Sequence, residues 1–84
     1  MRRLLLALLA AISLWSMHAI ALEQFQSEAA AQAHCPRDVV VWLNLPTMIY
    51  HYKGQRWYGR TKHGTYVCEK EAEAEGARAT RNGE

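Results

Sequence analysis

Apolar and polar positions divide the chain into unequal stretches. Met1-Arg2-Arg3 leads into an apolar run from Leu4 to about Ile12, followed later by Ala19-Ile20-Ala21. A basic start, an apolar stretch and a small-x-small triplet form the pattern of a secretory signal peptide, with cleavage expected after Ala21. The rival reading is an uncleaved anchor, since Leu4 to Leu22 nearly has the length to span a bilayer of about 30 Å. Ser13, Ser16 and His18 interrupt that run and no basic stop-transfer cluster follows. A lipidated start is disfavoured too, because Cys35 lies well past the apolar run and His34 stands where a small residue is needed.

Beyond Ala21 the pattern changes. Residues 22–35 are rich in Ala, Gln and Glu. Propensity favours a short helix there, but Leu22, Phe25 and the alanines offer a weak apolar face. The segment is expected to be a helical or flexible arm that docks loosely, stopped by Pro36. Val39 to Leu45 is dense in β-branched and aromatic residues and predicts the first strand, with Trp42 anchoring the core. Pro46-Thr47 predicts a turn and Met48 to Tyr52 a second strand, paired as an antiparallel hairpin. Residues 53–60, punctuated by Gly54 and Gly59, predict a loop. His63-Gly64 predicts a turn and Thr65 to Cys68 a third strand. Glu69 to Glu75 predicts a short helix, its acidic first turn matching the dipole and Gly76 ending it. From Ala77 an ordered turn is expected to become a loose polar tail over residues 80–84.

The expected fold is therefore a small α+β unit over residues 36–79: a three-stranded antiparallel sheet and a short C-terminal helix, preceded by the leader, 1–21, and the arm, 22–35. Length makes a staple necessary. After the leader about 63 of the 84 residues remain, and a domain of that size is marginal on its hydrophobic core alone. Cys35 and Cys68 are the two cysteines, and export places them in an oxidising space, so a Cys35–Cys68 disulfide is expected. The alternative is two free thiols, with Cys68 a small buried hydrophobe. No Cys-x-x-Cys spacing suggests a redox-active pair.

Charge narrows the partners. The formal net charge of +2 resides in Arg2 and Arg3, and residues 22–84 hold eight Lys and Arg against eight Asp and Glu. A generally basic, nucleic-acid-binding surface is not supported. Positive charge is instead local. Residues 50–63 carry four Lys and Arg, four aromatics and no acid. Aromatics between cations suit stacking on a ligand while charge steers an anion. The candidate binding residues are His51, Lys53, Arg56, Trp57, Tyr58, Arg60 and Lys62. An anionic glycan, a lipid headgroup or an acidic protein surface fits them better than nucleic acid, and the membrane is involved only through the leader. The competing reading makes Tyr50 and Trp57 core and the cations their solvated rim. The acidic run 69–75 reads as a solvated helix face.

Catalysis and metal chemistry have little to draw on. Ser27 is the one serine and Asp38 the one aspartate after the leader, and no nucleophile–base–orienter set is visible. His34, His51, His63 and the cysteines show no zinc-site spacing. His51 is expected at a sheet edge with its ring nitrogen satisfied, and His34 and His63 are expected in solvent. No cofactor, metal site or enzymatic activity is expected.

Met48-Ile49-Tyr50-His51, followed by Glu71 to Thr80 with its Ala-Glu repeat and Gly76-Ala77-Arg78, resembles the small zinc-binding domain of the Ada DNA-repair family. The four ligand slots of that family fall on His51, Gln55, Thr80 and Gly83. Only His51 suits zinc, so the resemblance implies a metal-free relative in which the disulfide replaces the metal as staple. Val-Trp-Leu-Asn, Ile-Tyr-His, Arg-Trp-Tyr-Gly and Arg-Ala-Thr-Arg-Asn-Gly together more closely resemble a family of small exported proteobacterial proteins, which implies bacterial export and no catalytic residue. The leading expectation is a small periplasmic or secreted, non-catalytic binding module. The alternatives are an Ada-like metal-binding module, using His51 and reduced cysteines, and a small membrane-anchored protein.

Overall fold

The computed structural model describes residues 22–84. The expected leader and its cleavage site lie outside the described residues. No helix among the described residues is long and apolar enough to cross a membrane.

The elements run α1 (Glu28–His34), β1 (Val40–Asn44), β2 (Ile49–His51), β3 (Gly64–Cys68), α2 (Glu69–Ala74) and β4 (Arg78–Ala79). They make a small α+β fold around one four-stranded mixed sheet, ordered β3-β1-β2-β4. The expected three antiparallel strands are present: β1 pairs antiparallel with both β2 and β3. The expectation of a purely antiparallel, three-stranded sheet is corrected by β4, which pairs parallel with β2. Two residues are too few to show a period-2 pattern. Backbone bonds place them: Arg78 N–H donates to Met48 O and Thr80 N–H to Tyr50 O, both at 3.0 Å.

Cross-strand register sorts the side chains onto two faces. Val41 lies opposite Val67, and Leu43 opposite both Tyr50 and Thr65. Val41, Leu43, Tyr50 and Val67 are buried and form the core with Ala72 and Ala77 of the α2 region. Each fully buried Val or Leu side chain favours folding by about 1.5–3 kcal/mol through removal from water. Trp42 belongs to the opposite face with Tyr66 and His51. It is half-buried, so its expected place as core anchor passes to Leu43 and Tyr50. The alternation of the strand is the reason: once Val41 and Leu43 face the helix, Trp42 must point away.

Trp42 instead organises the second face. Its ring meets Tyr66 edge-on at 4.8 Å between centroids, and its Nε1 donates to Thr61 Oγ1 at 2.8 Å. Gly64 leaves the space for it: a Cβ there would stand 2.3 Å from the indole.

The N-terminal arm is docked rather than loose. Ser27 caps α1 by accepting from Ala30 N–H at 3.1 Å, a stabilising N-cap. Ala31 is fully buried. Phe25 and Tyr66 exchange backbone hydrogen bonds of 2.9 and 3.1 Å. A disulfide joins Cys35, at the end of α1, to Cys68, at the end of β3. A weak apolar face was not decisive, because a covalent bond and a strand bridge hold the arm.

Helix α2 has a borrowed N-cap. Its cap residue Cys68 supplies no side-chain hydrogen bond, and Asp38 accepts from Lys70 N–H at 2.9 Å instead. Its C-terminus follows the expectation. Ala77 N–H donates to Ala72 O at 2.9 Å and Gly76 N–H to Glu73 O at 3.0 Å, the two bonds of a Schellman ending. Gly76, at φ +97°, occupies the left-handed position that ending requires.

Candidate functional site

The basic-aromatic segment is held open by short local bonds. Gln55 accepts from Tyr52 N–H through Oε1 at 2.8 Å and returns its own N–H to Tyr52 O at 2.9 Å. Tyr58 N–H reaches Gln55 O at 3.2 Å and Arg60 N–H reaches Trp57 O at 3.0 Å. Gly59, at φ +72°, lets the chain turn close to the hydroxyl of Tyr66. The Trp42–Thr61 bond fixes the far end of the loop to the sheet.

This geometry divides the seven residues singled out from sequence. Lys53 and Tyr58 turn toward α1. Lys53 Nζ donates to Glu28 Oε2 at 2.9 Å and Tyr58 Oη to Glu28 Oε1 at 2.7 Å. The Lys53 hydrogen bond, then that of Tyr58, holds the Glu28 carboxyl below its usual range. The Glu28 carboxylate holds Lys53 above its own. Burial, and then the hydrogen bond to Glu28, raises the Tyr58 phenol. These two residues bind the arm.

Four of the other five residues frame a groove. His51, Trp57, Arg60 and Lys62 line an open cleft of about 550 Å³, and Arg56 stacks over the Trp57 ring at 4.8 Å. Asn44 and His51 contribute from the sheet, Thr47 and Thr61 from the turns, and Thr80 and Asn82 from the C-terminal segment. That segment is not the loose tail expected: Trp57 N–H donates to Glu84 O at 3.0 Å and Thr80 Oγ1 to Asn82 Oδ1 at 2.9 Å. Glu84 also lines the groove and partly offsets its two cations.

His51 departs most from expectation. It is buried, with 7% of its surface exposed, and its Nδ1 has no hydrogen-bond partner. A buried ring nitrogen left unpaired is costly, which marks the position as one to explain. Trp57 is exposed at 37%, so the reading that made it core is corrected, whereas Tyr50 is core. The four Ada-like positions do not form a ligand set. His51 and Thr80 line the groove, while Gln55 caps the Tyr52 backbone.

A second polar cluster escaped the sequence reading. Tyr50 Oη lies 2.8 Å from Glu69 Oε2 and 2.6 Å from Glu73 Oε2, and Tyr52 Oη also donates to Glu69. The sequence signal was present: Glu69 and Glu73 share a face of a helix, and Tyr50 and Tyr52 share a face of a strand. Ser27 and Asp38, the lone serine and aspartate considered for catalysis, both serve as helix caps.

Comparison with protein-family models, with curated proteins and with solved structures finds no match to this chain.

Proposed function

We propose that the chain is a small exported binding module without catalysis, whose groove takes an acidic, hydroxyl-rich ligand of the uronic-acid glycan type. One observation carries the reading: Trp57, Arg60 and Lys62 line one cleft together with His51, a buried residue whose Nδ1 has no hydrogen-bond partner. The cleft volume falls within the range of ligand sites. An indole face suits the C–H face of a sugar ring. Threonine and asparagine suit its hydroxyls, and an arginine beside a lysine suits its carboxylate. Export is part of the proposal. The disulfide supports it, because such bonds persist in oxidising compartments.

The test is calorimetric titration with an oligogalacturonate, an uncharged oligosaccharide of equal length and inorganic phosphate. The acidic oligosaccharide should bind best. Trp57→Ala, and Arg60→Ala with Lys62→Ala, should each weaken it about tenfold or more, a loss of about 1.4 kcal/mol, with the far-UV spectrum unchanged. Equal affinity for all three ligands, or full affinity in folded variants, would sink the reading.

A further inference from the structure

The Cys35–Cys68 bond stands beside polar groups that the core does not use. His34 Nε2 lies 2.9 Å from Glu71 Oε2. The other carboxylate oxygen, Glu71 Oε1, is buried without a hydrogen-bond partner. A ring nitrogen of His34, Sγ of Cys68 and a carboxylate oxygen of Glu71 all lie within 4.8 Å of one another. A carboxylate oxygen of Asp38 lies within 4.8 Å of both sulfurs. Its oxygens already accept from Val39 and Lys70 N–H, at 2.7 and 2.9 Å, so it remains a cap.

We infer that Cys35, Cys68, His34 and Glu71 form a zinc-type metal site when the disulfide is reduced. Two thiolates, an imidazole and a carboxylate are the donors a tetrahedral zinc ion takes. With Zn–S near 2.3 Å, tetrahedral geometry sets the sulfurs about 3.8 Å apart. The Cα atoms stand 6.3 Å apart; Cys35 Sγ lies outside the group of His34, Cys68 and Glu71, so the site requires its half-buried side chain to rotate toward them once the bond is reduced. The ion takes the place now bridged by the His34–Glu71 hydrogen bond and gives the buried carboxylate oxygen the partner it lacks.

A shallow apolar depression of about 370 Å³ borders His34 and Glu71 and gives an ion a path to them. Lys70 also lines it, with Glu23 and Glu75 offsetting its charge. None of these ligands is His51, and the site is independent of the groove.

The chemistry balances with a dithiol as reductant. It gives two electrons and two protons to the Cys35–Cys68 bond and becomes a disulfide itself, leaving two protein thiols. The divalent ion then binds both sulfurs as thiolates and releases two protons to solvent. The same staple is thus made covalently in oxidising surroundings and by metal in reducing ones.

The experiment titrates Co²⁺, then Zn²⁺, into the full chain, oxidised or reduced with a phosphine. The reduced chain should take up one equivalent, with the visible and thiolate charge-transfer bands of tetrahedral cobalt, and Zn²⁺ should bleach them. The oxidised chain should show neither band. His34→Ala and Glu71→Gln should each weaken uptake by at least about tenfold, as even outer partners of a metal do, while His63→Ala should not. Should reduction unfold the chain, Zn²⁺ should restore the near-UV spectrum of wild type and restore it less well in His34→Ala. No uptake by the reduced chain, no recovery on adding metal, or unchanged affinity in both ligand variants would overturn the inference.

Discussion

Tyr50 shows how much one residue does. Its ring is core, and its hydroxyl lies in the angle between two carboxylates. Burial, and then the hydrogen bonds to Glu73 and Glu69, pushes the phenol far above its ordinary value of 10.0. Tyr52 moves the same way, chiefly through Glu69. The folded state therefore favours the neutral phenols. Their contribution to stability is complete below about pH 10 and is lost as pH rises through the folded values. Alkaline titration followed by tyrosinate absorbance should show late-ionising tyrosines whose transition coincides with loss of the near-UV spectrum. All four tyrosines titrating as free phenols in a still-native protein would contradict this. At Gly64 the constraint is steric. Gly64→Ala drives a Cβ into the rigid Trp42 indole, and overpacking of that kind costs about 1–3 kcal/mol. Urea denaturation should show that loss.

At the scale of elements, the ends are secured by partners distant in sequence. Asp38 caps α2, Glu28 holds the loop through Lys53 and Tyr58, and the disulfide ties α1 to β3. The cross-link spans a sequence separation of 33 residues, for which loop-closure entropy gives about 3–4 kcal/mol. Cys35→Ser with Cys68→Ser should lower stability by about that amount in denaturant titration, and a loss below 1 kcal/mol would contradict the staple's role. Local signals made several of these elements legible. The Val-Val-Val-Trp run, the Glu-Ala helix and Gly76 each act over a few neighbouring residues. The parallel strand β4 was not legible, because its two residues are placed by Met48 and Tyr50 across the sheet. The docking of the arm was hidden for the same reason.

For the whole molecule, a near-neutral chain gathers part of its positive charge beside one cleft. Sequence brought Trp57, Arg60 and Lys62 to attention through density of charge and aromatics alone. It did not distinguish them from Lys53 and Tyr58, because their separation depends on Glu28, far away along the chain. Nor did it foresee the buried His51 with its unpaired Nδ1, since burial is set by packing between segments distant along the chain. The most direct measurement is a two-dimensional amide and indole NMR titration of the oxidised chain with oligogalacturonate. The account predicts shifts concentrated at the Trp57 indole, His51, Arg60, Thr61 and Thr80, with Lys53 and Tyr58 little moved. Shifts spread over the surface, or centred on the Lys53–Glu28 side, would contradict the groove as the working surface.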